Sequence, residues 1–266
     1  YAKKVYDGID SKKVKEMGWF LPRKNLSYEN LLDSLLTDPK LLRKNEQQLF
    51  GQYYKLRDVL KKYRQIEKNG GWNPIAIDSL EKTYKPSDSS KTIGQIRQRL
   101  ALTGDLKLDS KSNVYDEELM AGILNYKKRN GFNTDYLIAS KHIQRMNIPI
   151  ENYIKTIIAN MERCRWIDPK LTKTDEYIII NIPSYQFFFK KNGQNELESK
   201  VFVGKNMNKT VVLSSNIDKI VFSPYWNIPK SIIENEIKYA IERDENYLEK
   251  HNIEWYKGNL RQKPGP

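Results

Sequence analysis

A chain of 266 residues with 39% hydrophobic and 30% charged positions, 17 Tyr and 5 Trp has the makeup of a folded protein with two or three small domains, which excludes a disordered polymer. The lone cysteine, Cys164, excludes an intramolecular disulfide and a zinc site with paired cysteines, and no run of about 20 apolar residues is present to cross a membrane as a helix. The formal charge of +13 favours capture of polyanions without choosing among nucleic acid, lipid and wall polymer; the densest basic groups, Lys61-Lys62-Tyr63-Arg64 and Lys127-Lys128-Arg129, alternate with apolar positions on predicted helices and read as solvated helix faces.

In chain order, Ser27 is placed to cap a helix whose stripe is Leu31, Leu32, Leu35 and Leu36, broken at Asp38-Pro39. Leu49, Tyr53, Leu56, Leu60 and Tyr63 recur at spacings of four and three, so a second helix follows, stopped by Asn69-Gly70-Gly71. These two helices are expected to pack on each other. The polar stretch Lys85-Pro86-Ser87-Asp88-Ser89-Ser90 marks a boundary, after which three short helices are predicted. The first carries Ile93, Ile96 and Leu100 and ends at Thr103-Gly104; the second carries Leu119, Ile123 and Tyr126 and ends near Asn130-Gly131; the third covers Ile138 to Met146. After Pro149 a longer helix has the stripe Ile150, Ile154, Ile157, Met161 and Cys164 and closes at Asp168-Pro169.

The pattern then turns to β. Tyr177 to Asn181 and Tyr185 to Lys190 read as strands, Lys191-Asn192-Gly193 as a hairpin turn, and Val201 with Val203 as a continuing strand. Val211 to Leu213 and Lys219 to Ser223 are expected to add two β segments. Pro229 begins a last helix, with Ser231 and Glu234 at capping-box spacing and Ile233, Ile237 and Ile241 on one face. The fold class is therefore α+β, helical first and β-rich second.

Catalytic constellations are sparse. The sequence has no glycine-rich phosphate loop, no His-Glu-x-x-His, no Gly-x-Ser-x-Gly and no metal-ligand cluster, and His142 and His251 stand beside no candidate nucleophile. Cys164, flanked by Arg163 and Arg165, could have a lowered pKa, but its position on an apolar stripe assigns it a structural role, with the arginines turned away. Tyr185, Phe187, Phe188 and Phe189 read as core and sheet face. Phe222, Tyr225 and Trp226 differ, because Pro224 and Pro229 are expected to stop the stretch from continuing as sheet or helix; it reads equally as a rigid loop presenting aromatic faces to a ligand or as simple packing.

Several phrases, in order, resemble the large periplasmic type of L,D-transpeptidase, in which a helical scaffold and a peptidoglycan-binding-like module precede the catalytic domain. Asn160-Met161-Glu162-Arg163-Cys164-Arg165-Trp166 is similar to the family's N-x-E-R-x-R-W, and Tyr177 to Pro183 to its first catalytic strand. Val203-Gly204-Lys205 resembles its V-G-K, Phe222-Ser223-Pro224-Tyr225-Trp226-Asn227-Ile228-Pro229 its F-N-P-x-W-x-V-P, and Arg261-Gln262-Lys263-Pro264-Gly265-Pro266 its R-Q-x-P-G-P. Upstream, Gly70-Gly71-Trp72, Tyr115-Asp116 and Asn130-Gly131-Phe132 fit the scaffold and module. The module departs from the family in having Tyr126-Lys127 for an aromatic-Gln pair. It also has Asp135-Tyr136-Leu137-Ile138-Ala139 for an Asp-Gly-x-x-Gly turn, which removes two residues that adopt positive φ easily.

The resemblance implies a scaffold at 1–82, a peptidoglycan-binding-like module at 83–148, a connecting helix at 149–170 and the N-terminal part of a β-rich catalytic domain at 171–266. It implies cysteine acyl transfer without a cofactor: a thiolate attacks a donor stem peptide, D-alanine leaves, and an acceptor amine takes the acyl group to form a 3-3 cross-link. The partners it implies are peptidoglycan stem peptides and glycan, not nucleic acid, in the periplasm or cell envelope of a bacterium. Any export signal or membrane anchor is expected ahead of Tyr1. Tyr225, Trp226 and Asn227 are the expected substrate-facing residues. The family's Ser-His-Gly-Cys-x-Arg nucleophile motif follows the Pro-Gly-Pro segment by several dozen residues and does not occur here, so a longer native chain is expected and these 266 residues are expected to be inactive alone. A non-catalytic wall-binding or scaffolding protein and a basic nucleic-acid-binding protein are the rival classes.

Overall fold

The computed structural model describes residues 2–24, 27–40, 49–79, 82–204 and 209–265. Lys205 and Pro266, the last residues of two family-like phrases, fall outside them. Among the described residues the chain is α+β, and it divides into two compact units, Tyr1–Ser214 and Ser215–Pro266.

The first unit runs α1 (Ala2–Asp7), α2 (Ser11–Glu16), β1 (Trp19–Phe20), α3 (Tyr28–Thr37) and α4 (Gln52–Lys68). It continues with β2 (Thr83–Tyr84), α5 (Lys91–Thr103), α6 (Glu117–Asn130), β3 (Ile138–Ala139), α7 (Ser140–Met146) and α8 (Ile150–Arg165). After these come β4 (Glu176–Asn181), β5 (Gln186–Lys191), β6 (Gln194–Lys200) and β7 (Val212–Leu213). The cap reading at Ser27 holds, its hydroxyl accepting from the Asn30 N–H. The expected pairing of the two early helices does not. α4 instead lays Leu60, Tyr63 and Ile66 against Ile150, Ile154, Ile157 and Met161 of α8, and this cluster contains no residue of α3 among those described. The 3.6-residue period identifies an apolar face but not its partner. Leu49 is buried, although it precedes the helix it was expected to join.

The module between β2 and α7 has the denser core. Ile93, Ile96, Leu100 and Leu119 are fully buried around Tyr84 and Ile138, and β2 pairs with β3 to tie the two ends together. Burying each aliphatic side chain contributes roughly 1.5–3 kcal/mol. α5 and α6 end where the sequence predicts, at left-handed Gly104 (φ 87°) and Gly131 (φ 72°). The third helix is shorter than predicted, because Ile138 and Ala139 go into the sheet.

This core also takes in charge. Arg97 is fully buried, donating to the Ser112 and Val114 carbonyls and pairing with Asp116 (2.5 Å) and Glu118 (2.9 Å). Lys127 is only 1% exposed and pairs with Asp135 while donating to the Leu137 carbonyl. The reading of the 127–129 group as a solvated face is therefore corrected at Lys127. Its ammonium bridges Asp135 and the Leu137 carbonyl across the 135–137 turn, and Leu137 N–H also donates to Asp135.

Downstream, β4, β5 and β6 form an antiparallel sheet, with Asn192 (φ 48°) and Gly193 (φ 77°) making the β5–β6 turn. The register aligns Ile178, Phe189 and Leu197 on one face, and Phe187 to Phe189 are half-buried in the sheet. Tyr185 is left-handed and precedes its strand. The expected strand at Val201 and Val203 is placed earlier, over the polar, exposed Gln194–Lys200, since turn chemistry rather than alternation sets this partner. Val212–Leu213 pairs parallel with β1.

The second unit has β8 (Trp226–Asn227), α9 (Lys230–Ile232), a π-helical turn at Ile233–Ile237, α10 (Lys238–Arg243), α11 (Tyr247–Lys250), β9 (Ile253–Tyr256) and β10 (Asn259–Gln262). The strand order is β8-β10-β9, all antiparallel. Ile228, Ile237 and Leu260 form its buried centre. Two expectations fail here. Lys219 to Ser223 is irregular, with Ser223 at φ 46°, and Ser231 lies inside the helix because Pro229 occupies the N-cap.

Candidate functional site

The Phe222–Pro229 phrase is organised by its one buried residue. Ile228 is fully enclosed and its N–H donates to the Leu260 carbonyl, so the two residues before it are drawn alongside β10. Asn227 lies opposite Arg261 and Trp226 opposite Gln262. The prolines therefore do not prevent sheet pairing, contrary to expectation: Pro224 lies before the paired residues, and Pro229 falls after the last ladder bond, at the helix N-cap.

Strand alternation puts Tyr225, Asn227, Arg261, Glu254 and Tyr256 on one sheet face. The Arg261 guanidinium lies 4.0 Å from the Tyr225 ring centroid and 3.6 Å from that of Tyr256, within cation–π reach of both rings. Its edge donates to Glu254, Nε at 2.7 Å and Nη2 at 2.5 Å, and Lys263 reaches the other carboxylate oxygen at 3.2 Å. Hydrogen bonds from Arg261 and Lys263 hold the Glu254 carboxyl below the usual carboxylate range. Tyr225 and Trp226 remain 51% and 48% exposed, and Asn227 is exposed. The arrangement can offer two aromatic faces and a primary amide to a ligand from a rigid backing. Residue periodicity gave no signal for Arg261, Tyr256 or Glu254, because the hairpin that carries them went unread. The signal present was Lys257-Gly258, both at positive φ, between Trp255-Tyr256 and Asn259-Leu260.

A second cluster surrounds the Asn160–Trp166 phrase in the first unit. Glu162 Oε1 accepts from Ile9 N–H (2.7 Å) and Trp166 Nε1 (2.9 Å), and its Oε2 accepts from Arg165 (2.8 Å). Arg165 also donates to the Val5 carbonyl and the Tyr53 hydroxyl. Lys24 donates to the Tyr6 and Arg165 carbonyls, and burial lowers its pKa to about 8. Gly8, at φ 72°, passes so near Glu162 that a Cβ there would overlap the carboxylate. The phrase is thus a socket for the N-terminal residues.

Cys164 faces the buried side of α8 and is 6% exposed; burial pushes its thiol up to about 11. Arg163 is bonded to Asn160, and Arg165 to the socket just described. The thiol is accordingly protonated at neutral pH, unsuited to attack on a carbonyl. His142 is likewise enclosed. Its Nδ1 accepts from Ala139 N–H, and burial, with Lys127 nearby, lowers its pKa to about 4. Among the described residues no group of His, Cys, Asp and Glu is placed to hold a metal ion.

Residues 175–265, from the start of β4 through the end of β10, match the YkuD family, the L,D-transpeptidase catalytic domain. A relative named "Putative L,D-transpeptidase" from Haemophilus influenzae is 37% identical over 75 residues, which cover 28% of this chain and 15% of that protein.

Proposed function

We propose that this polypeptide belongs to a peptidoglycan L,D-transpeptidase, an acyltransferase that forms 3-3 cross-links between stem peptides in the bacterial cell envelope. In this reading residues 1–82 are the scaffold, 83–148 the peptidoglycan-binding-like module, 149–170 the connecting helix and 171–266 the N-terminal part of the catalytic domain. The observation that carries it is the family match over 175–265, which ends next to the Arg261 clamp. Tyr225, Trp226 and Asn227 face the substrate, the clamp limiting how far Tyr225 can turn, while the stem peptide lies across the exposed rings.

No residue among the 266 serves as nucleophile. Cys164 is enclosed and protonated, and the acyl-accepting thiolate belongs to a Ser-His-Gly-Cys-x-Arg motif that the sequence does not contain. The 266-residue polypeptide alone is therefore inactive. The test is acylation by a carbapenem, read by intact mass and peptide mapping on the 266-residue chain and on the full product of its gene. The full product is expected to take up one equivalent on a cysteine in that motif, and the 266-residue chain none. An adduct on Cys164, or no adduct on either protein, overturns the reading.

A further inference from the structure

One residue touches the chain both where it leaves α8 and where it enters β7. The Trp19 ring packs edge-on against Trp166, the centroids 5.1 Å apart, and the Trp19 backbone lies opposite Val212 in the β1–β7 ladder. The Val212 N–H donates to the Gly18 carbonyl at 2.8 Å, and Gly18, at φ 79°, makes the left-handed turn from α2 into β1. β4, β5 and β6 all lie between Trp166 and Val212, so their sheet belongs to a long loop whose base is closed through Trp19. Among the described residues the β1–β7 pair is the one sheet that joins residues before 175, where the catalytic-domain match begins, to residues after it. Trp19 itself is held firmly. Arg23 donates to the Asp7 carbonyl (2.7 Å) and the Ile9 carbonyl (3.1 Å), and Lys24 to the Tyr6 carbonyl, so the two ends of the stretch carrying α2 and β1 are pinned together. Glu162 and Arg165 fasten Ile9 and Val5 to the last turn of α8. β7, by contrast, is two residues long, with Val211 42% and Leu213 61% exposed, so its place follows the N-terminal segment rather than a core of its own.

We propose that the N-terminal segment is a strap that positions the residues matching the catalytic domain, with Trp19 as the positioning residue that closes the base of the β4–β6 loop. β7 ends just before Ser215, where the second unit begins, so the strap also fixes the point from which the chain carries Tyr225, Trp226 and Asn227 away. Without it the two ends of the loop regain the freedom of an open chain. The effect on cross-linking rests on the transpeptidase reading; the hold on β7 does not.

The experiment measures the distance between spin labels at Lys61→Cys on α4 and Ser214→Cys, both exposed, in the 266-residue chain, buried Cys164 staying unlabelled. The parent is expected to give one narrow distribution. Trp19→Ala, and separately Val212→Pro, which removes the N–H bonded to Gly18, are each expected to widen it by about twofold or more. Trp19→Phe keeps an aromatic edge against Trp166 and should stay near the parent. Exchange protection at Ile96 and Ile123 in the module should be unchanged throughout, which separates release of the strap from unfolding. In the full product of the gene, Trp19→Ala is expected to slow cross-linking of isolated sacculi on the order of tenfold and to leave the rate of carbapenem acylation within about twofold of the parent. A wall-bound substrate needs the chain held at a set position, and a small acylating agent does not. Distributions as narrow in Trp19→Ala and Val212→Pro as in the parent overturn the proposal. So does an equal loss of both reactions, which would make Trp19 a stability residue only. A parent that takes up no carbapenem sinks the transpeptidase reading instead, and the label distances still decide the strap.

Discussion

The helical module and the C-terminal unit both use arginine and lysine as framework, but they handle the charge differently. In the module Arg97, Arg99 and Lys127 are brought inside, at 0%, 4% and 1% exposure, and each is met by carbonyls or carboxylates. Among the described residues of the C-terminal unit only Ile228, Ile237 and Leu260 are buried, and Arg261, Glu254 and Lys263 form their network at the surface, between exposed tyrosines. A core of thirteen buried apolar side chains can enclose charge and keep it satisfied. A core of three cannot, and its charged groups stay where a ligand can reach them.

The largest loss of stability is expected from taking the counter-charge from Arg97. Asp116→Asn with Glu118→Gln keeps the N-cap of α6 but leaves a buried guanidinium without a carboxylate, and a loss of about 3–5 kcal/mol is expected in urea denaturation. In the C-terminal unit the equivalent blow is apolar. Leu260→Ala should cost about 2–4 kcal/mol and abolish hydrogen-exchange protection at Ile228 while leaving the module's amides unchanged. Loss of protection in both regions would mean that they unfold as one.

A third effect belongs to the module alone. His142 titrates near 6.5 when unfolded and about 4 when folded, so the unfolded chain binds the proton first as the pH falls. This stability is complete above about pH 6.5 and is lost between there and pH 4, on the order of 2–3 kcal/mol. His142→Gln should flatten the acid limb relative to the parent chain; parallel curves would place the proton elsewhere. Gly8→Ala, which forces a Cβ onto the Glu162 carboxylate at a left-handed position, should cost about 1–3 kcal/mol and expose the Val212 amide, otherwise bonded to Gly18, to exchange. The smallest effect is at the surface. Arg261→Lys keeps the charge but not the planar stack, and about 0.5–1 kcal/mol should be lost, with greater motion of Tyr225 seen as faster ring relaxation by NMR.

Much of this arrangement was legible in advance where local chemistry decides it. The stripes of α5, α6 and α8, the glycine stops of α5 and α6 and the Asn192-Gly193 turn follow from period and φ preference alone. What periodicity could not supply was partner choice. It did not indicate that α4 packs on α8, that Lys127 turns inward to Asp135, or that Trp226 and Asn227 pair with β10 despite two prolines. The candidate site was half readable for the same reason: Tyr225, Trp226 and Asn227 stand in one phrase, whereas Arg261 joins them only through a hairpin register.

The socket at Glu162 has a consequence for the order in which the molecule forms. Ile9 and Glu162 lie 153 positions apart, and β1 and β7 are separated by nearly the whole first unit. Contacts of such long sequence separation carry a large loop-closure cost and form slowly. During synthesis the first strand leaves the ribosome with its neighbour not yet made, and the module between them, rich in short-range helix contacts, folds first. The residues from Ala2 to Phe20 are thus made long before their partners and are among the last of the first unit to find their place.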